Sequence, residues 1–231
     1  MFFLFRKKQS LTEANSDEIE TAVHRLIELS THDYGYYLFL VLSIIITTAG
    51  LLLQSSPVVI GGMIIAPLLT PILSCGLALL LVEMKGLVRS LAIIVLSVVT
   101  ALVISAAMTI TTLITDPSIV VGDFVPASIP PSLYLIIAFA SGIAGAFAFV
   151  KKHLSSSIAG VAVSASLVPP LCSVGIGVAL RNETFVQNSF TIFMLNVLGI
   201  IVASSLVFWI LDFRKARKLE EKVVEKVEHS T

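Results

Sequence analysis

Two apolar runs hold the residues of this chain best placed to do chemistry. The first, SSPVVIGGMIIAPLLTPILSCG, extends from Ser55 to Gly76; the second, SSSIAGVAVSASLVPPLCSVGIG, from Ser155 to Gly177. A proline has no N–H, and its ring clashes with the carbonyl four residues back. In a helix, Pro67 therefore frees the carbonyl of Met63 and Pro71 that of Pro67, while Pro169 and Pro170 free those of Ala165 and Ser166. A polar group left unpaired in hydrocarbon is costly, so each freed carbonyl needs protein, water or a ligand. Thr70–Pro71 has the form of a helix start, with Thr as N-cap and Pro in the first turn. A half-helix beginning there would aim its positive end at mid-membrane.

The expected mid-membrane binding site draws on both runs. From the first it takes Gly61, Gly62, Met63, Ala66, Pro67, Thr70, Pro71 and Ser74; from the second, Gly160, Ser164, Ser166, Pro169, Pro170 and Ser173. Glycine and alanine let backbones approach closely, and the serines add hydroxyls. The competing reading is a pair of proline kinks that bend helices only for packing.

The elements that must carry these runs follow from composition. Of 231 residues 56% are apolar and 13% charged, with a mean hydropathy of +0.99. That charge fraction is about half that of a soluble domain. Fifteen basic and fifteen acidic residues cancel, which leaves no electrostatic basis for nucleic-acid binding. Two cysteines cannot form a secreted disulfide scaffold. Charged residues divide the chain into six apolar stretches: Tyr36–Leu53, Pro57–Val82, Ser90–Ile114, Ser132–Val150, Leu154–Leu180 and Ser189–Leu211. Each is long enough to cross a bilayer as a helix, and none alternates as a membrane β-strand would. The expected fold is an all-α membrane protein of six transmembrane helices.

Loop charge sets the orientation. Arg6, Lys7, Lys8 and Arg25, then Lys85 and Arg89, then Lys151 and Lys152, then Arg214, Lys215, Arg217 and Lys218 occupy alternate connections. The intervening loops hold only Arg181. With six crossings, all the rich segments fall on one side and both termini are cytoplasmic, in the plasma membrane of a prokaryote. Re-entrant second and fifth spans would place two basic loops outside, against the charge pattern.

A shift of 99 residues aligns the two halves without a gap, and 16 of 78 positions are identical between Tyr36–Leu113 and Leu135–Asp212. Chance in so biased a composition gives about 6 to 8. Identities cluster in the second span of each half, including Gly61/Gly160, Pro71/Pro170, Ser74/Ser173 and Gly76/Gly175. Three crossings per half make this an inverted repeat, with helices 2 and 5 broken by proline at mid-membrane, a plan shared by many transporters. The expected organisation is an N-terminal cytoplasmic tail (1–33), a first three-helix repeat (34–114), a proline-rich outer loop (115–131), a second repeat (132–211) and a charged cytoplasmic C-terminal helix (212–231).

The run TAGLLLQSSPVVIGGMIIAPLLTPILSCGLAL resembles the signature of a bacterial and archaeal membrane family known as domain of unknown function 389. Its members show a leucine run, Ser-Pro, an apolar-Gly stretch and Ala-Pro-Leu with a further proline. The run LSSSIAGVAVSASLVPPLCSVGIGVAL is similar to that family's second motif, a double proline followed by Gly-x-Gly. The likeness extends over roughly Tyr36 to Leu211, with Thr70 where the family usually has a small residue. It implies a membrane topology and no substrate.

What the spans lack narrows the function. No Asp, Glu, Lys or Arg lies inside any of them, so there is no carboxylate relay for protons. His24, His32, His153 and His229 are scattered, which argues against a metal site, and no nucleotide-binding loop occurs. No catalytic cluster or cofactor is expected, and the chain reads as no enzyme. Asn196, the one carboxamide within a span, reads as an interhelical hydrogen bond in preference to pore lining. Cys75 and Cys172 read as small buried residues. Ser16–Ser30 patterns as an amphipathic helix with Ile19, Val23, Leu26 and Leu29 on one face.

The expected function is a small-solute or ion channel or transporter, its partners the lipid bilayer, an unknown small solute or ion, and further copies of itself. Small-residue spacing at Ser141/Gly145 and Gly142/Ala146 offers a contact for such a homo-oligomer. The alternative is a non-transporting membrane scaffold or accessory subunit.

Overall fold

The apolar runs of the sequence fold here into helices. The structure, a computed structural model, describes residues 19, 21–23, 34–116, 131–150 and 156–213, without the side chains of 156–163 and 165. Among the described residues, these helices follow one another from Tyr34 onward: α1 Tyr34–Leu52, α2 Ser56–Ile65, α3 Leu69–Leu81, α4 Met84–Thr115, α5 Pro131–Val150, α6 Ser156–Ala179 and α7 Glu183–Ile210. Of these, α1, α4, α5 and α7 are each long and apolar enough to cross a membrane, and α2 with α3 makes a fifth when the bent pair counts as one span. Helix α6 adds the shorter apolar stretch Ser166–Ala179. These are the helices of a multi-pass membrane protein, with no strand among the described residues.

Ahead of α1, Ile19, Ala22 and Val23 are helical and buried against the core, while Leu26 and Leu29 of the expected amphipathic face lie outside the described residues. The N-terminal basic cluster, most of the outer loop, Lys151, Lys152 and the C-terminal charged segment lie outside the described residues.

The helix-to-helix turns are built alike 99 residues apart. Val82 ends α3 with φ 56°, and Arg181 follows α6 with φ 56°. This left-handed conformation is unusual for a residue with a side chain, and most of all for a β-branched one. The next residue in each case caps the following helix: Glu83 accepts from the Gly86 N–H, and Asn182 from the Phe185 N–H at 3.0 Å. The reversals are closed by Glu83 N–H to Ala78 O and Asn182 N–H to Gly177 O, each 3.0 Å.

Packing between the halves shows the same register. Gly76 of α3 lies against α7, where an added Cβ would meet the Ser204 hydroxyl and come within 3.1 Å of the Ile201 carbonyl. Gly175 of α6 lies against α4, where it would meet the Ser105 hydroxyl and come within 2.9 Å of the Leu102 carbonyl. Each residue in one contact is offset by 99 from its counterpart in the other. Helices α3 and α7 carry much of the core through Ile72, Leu73, Leu77, Phe193, Ile200 and Phe208. Helix α4 leaves a long apolar face exposed, including Val88, Val95, Val99 and Val103.

Two expectations need correction. The second span does bend, by 53°, but the break falls at Ala66–Leu68. Pro67 sits in it; Thr70 and Pro71 already belong to α3, whose N-cap is Leu68 with no side-chain cap bond. A proline in a first turn removes an N–H that has no helical acceptor anyway, so Pro71 costs α3 little. The fifth span is not broken: α6 continues through Pro169 and Pro170 as one helix. The small-residue stripe of α5 is also used within the chain, since Ser141, Gly142, Gly145 and Ala146 are buried and Gly142 lies against Ile200 and Ala203 of α7.

Candidate functional site

Where α2 ends, the missing N–H of Pro67 is compensated locally. The Ala66 N–H turns back to the Met63 carbonyl at 3.3 Å, tightening the last turn. The Ala66 carbonyl then accepts from the buried Ser164 hydroxyl of α6 at 3.2 Å. The two proline-bearing segments thus touch at the bend.

In α6 the compensation comes from another helix. The Ser166 carbonyl, which Pro170 cannot serve, accepts from Asn196 Nδ2 of α7 at 2.6 Å. A carboxamide from α7 thus supplies the donor that Pro170 removed. It also fixes the amide, because the reverse orientation would set oxygen against oxygen. Asn196 is 1% exposed, and its Oδ1 is buried with no hydrogen-bond partner.

Beside this bond lies a cavity of about 380 Å³. Its polar lining is Ser56, Tyr134, Ser166, Ser173 and Asn196; its apolar lining is Leu51, Val59, Ile60, Met63, Ile137, Ile192, Pro169 and Pro170. These residues come from the end of α1, from α2, from the first turns of α5, from α6 and from the first half of α7. The cavity therefore extends from the α1–α2 turn down to the level of the bend. Among the described residues, no carboxylate, imidazole, ammonium or guanidinium lines it. Among the described residues, no group of His, Cys, Asp or Glu is placed to hold a metal ion.

The expected site residues divide accordingly. Met63, Ser166, Pro169, Pro170 and Ser173 line the cavity. Ala66 and Ser164 join at the bend beneath it. Gly62 lies against α1, its carbonyl accepting from the Ser43 hydroxyl at 2.8 Å, whereas a Cβ at Gly61 would meet open space. Pro71 and Ser74 are buried in α3, and Pro67 and Thr70 are half-buried. Gly160 falls in helical backbone with its surroundings outside the described side chains. Asn196 belongs to the site twice over, as the interhelical bond the sequence suggested and as cavity lining. Leu51, Tyr134, Ile137 and Ile192 carried no signal, being ordinary residues of apolar helices.

The position related to Asn196 by the 99-residue register is occupied differently. Ser97 of α4 stands 99 residues before Asn196; it donates to its own Ile93 carbonyl at 2.8 Å and accepts from the Tyr36 hydroxyl at 2.9 Å. Tyr36 is buried there. Cys75 and Cys172 are buried free thiols.

Comparison with known proteins gives a family. The family model described as "Domain of unknown function (DUF389)" matches residues 63–202, which hold both proline segments and Asn196. The chain belongs to this family. An uncharacterised protein of Methanocaldococcus jannaschii is 27% identical over 184 residues, covering 74% of this chain and 52% of that relative. The DUF389 chain thus spans about half the length of the curated relative it matches. No solved structure matches.

Proposed function

We propose that this chain provides a membrane pathway for a small solute or ion, with the cavity at Asn196 as its central site. The observation that carries this reading is the cavity itself, which enters from the α1–α2 end and stops where α2 bends and the two proline segments meet. In this reading α2 and α3 form one bent span and α6 another, giving six crossings in two inverted three-helix halves. The paired turns and the paired glycine contacts, each offset by 99 residues, support that arrangement. With both termini in the cytoplasm of a prokaryote, the cavity opens to the outside, and the buried Tyr36–Ser97 pair, set at the position 99 residues before Asn196, serves as a closing contact toward the inside. An outward-open state of a two-sided pathway has this form. A homo-oligomer belongs to the same proposal, its self-contact elsewhere than on the stripe of α5.

Purified protein in liposomes should then take up at least one member of a panel of small ions and neutral solutes faster than protein-free liposomes do. Absence of flux across the whole panel, with helical content and monodispersity intact, would overturn the reading. The scaffold or accessory-subunit alternative draws on the exposed apolar face of α4, of whose most apolar window 28% is buried. Crosslinking in native membranes should in that case capture a stoichiometric partner through α4, and self-contacts alone would count against it.

A further inference from the structure

The cavity faces the bilayer as well as the α1–α2 end. Along 131–140 of α5, Ala138 alone is buried, seated on Gly199 of α7; Tyr134 is half-buried and the other residues are exposed. Ile60 of α2 and Ile137 of α5, both in the lining, are 51% and 50% exposed. In a membrane such surfaces meet acyl chains, so the cavity can be entered sideways between α2 and α5. Its lining changes with depth. Ser56 and Tyr134 stand in the first turns of α2 and α5, the one exposed and the other half-buried, and neither hydroxyl is hydrogen-bonded to another described residue. Deeper in, Ser166, Ser173 and Asn196 are buried and present little surface, while Met63, Ile192, Pro169 and Pro170 supply apolar walls. Ser56 and Met63 lie about 10 Å apart along α2.

From this we infer that the cavity binds the alkyl chain of an uncharged single-chain amphiphile drawn from the bilayer, a long-chain alcohol or monoacylglycerol, with its hydroxyl head held by Ser56 and Tyr134. This goes beyond the pathway reading and does not depend on it, since it needs only helices that lie in a bilayer. A chain that leaves lipid for a protein wall gains nothing from the hydrophobic effect, because lipid tails are equally apolar. What favours it is contact with walls that would otherwise face a void, together with hydrogen bonds at the head. Each of the two hydroxyls can donate and accept, as an alcohol head does. A charged head would lose hydration and find no counter-charge in the lining. The volume of about 380 Å³ matches about a dozen groups the size of water at ~30 Å³ each, enough for one chain of about ten carbons and too little for both tails of a phospholipid.

The test uses the full chain in phospholipid nanodiscs, with decanol carrying a diazirine at the far end of its chain as photolabel. Fragmentation mass spectrometry should find label on Met63 or Ile192, inside the cavity, and excess plain decanol should remove it. Label on Val95 and Val99, on the exposed face of α4, should stay, because contacts with bulk lipid do not saturate. Decanoate and decylammonium should displace the cavity label roughly tenfold less well than decanol. Ile60→Trp narrows the side entrance at an exposed position and should cut the cavity label several-fold. Ser56→Ala combined with Tyr134→Phe removes both head contacts and should raise the decanol needed for displacement about fivefold, the net worth of one hydrogen bond. Both variants leave the core residues in place. Cavity label that plain decanol does not displace, displacement by either ion as effective as by decanol, or label on α4 with none at Met63 or Ile192 overturns the inference. So does an unchanged result in either variant.

Discussion

Two proline-bearing segments of similar length respond to the same chemical defect in opposite ways. The α2–α3 segment loses a donor at Pro67 and bends by 53°, while α6 loses two in succession at Pro169 and Pro170 and continues as one helix. The difference lies outside the prolines. At Pro67 the orphaned Met63 carbonyl is taken by the Ala66 N–H of the same strand of backbone, which requires the turn to tighten and end. At Pro170 the orphaned Ser166 carbonyl is taken by a side chain from α7, and α6 remains one helix. The corresponding residue of α4, Ser97, is too short to make such a bridge and pairs with Tyr36 instead. Whether a proline breaks a membrane helix is thus decided by which neighbour supplies a donor. The same position holds a serine paired with Tyr36 in one half and an asparagine beside a cavity in the other.

Variants that disturb this contrast can be ranked by expected effect. The largest belongs to the glycine contacts, where the halves are alike. Gly175→Leu and Gly76→Leu each force a side chain into a neighbouring helix at a carbonyl and a hydroxyl, and each should cost about 3 kcal/mol in reversible unfolding from mixed micelles. Comparable losses are expected because the contacts correspond; a large loss at one glycine and none at the other would show that the likeness ends at the sequence.

Next comes Asn196→Leu, which strands the Ser166 carbonyl beside Pro170 and should cost about 1–3 kcal/mol by the same measurement. Tyr36→Phe removes one hydroxyl, and Ser97 keeps its bond to Ile93, so a loss of only about 1 kcal/mol is expected. In proteoliposomes it should also loosen the inner closure and raise solute leak, and an unchanged leak would argue against Tyr36 as a closing element. The smallest effect on stability is expected from Pro67→Ala, which returns an N–H to Met63 O. Its signature is geometric: spin labels at the exposed positions Ile60 and Leu79 should move apart by about 3 Å as the bend relaxes, given 1.5 Å of rise per residue.

Much of this contrast can be read in the sequence up to the point where the two segments diverge. The apolar runs between charged residues give the helices, and the 99-residue register recurs at Val82 and Arg181, at Glu83 and Asn182, and at Gly76 and Gly175. Local rules also show that Pro67 frees Met63 and Pro170 frees Ser166. They place the break at Thr70–Pro71, where residue preference suggests a cap, because preference does not register that a first-turn proline is tolerated inside the helix. They cannot show that α6 survives, since its missing donor comes from a residue thirty positions along the chain. The cavity was half legible for the same reason. Met63, Ser166, Pro169, Pro170 and Ser173 announce themselves by type, whereas Leu51, Ile137 and Ile192 become lining only through packing. Asn196 was the exception, a lone carboxamide in an apolar span, and its double role as donor and unpaired acceptor appears only when both of its neighbours are known.

The most direct test of the donor account is a double-mutant cycle between Asn196 and Pro170. Pro170→Ala restores a backbone N–H able to reach the Ser166 carbonyl and so removes the need for Asn196. The cost of Asn196→Leu, measured by reversible unfolding, should fall from about 1–3 kcal/mol in the native background to near zero with Ala at position 170. The same cost in both backgrounds would contradict the claim that Asn196 keeps α6 unbroken.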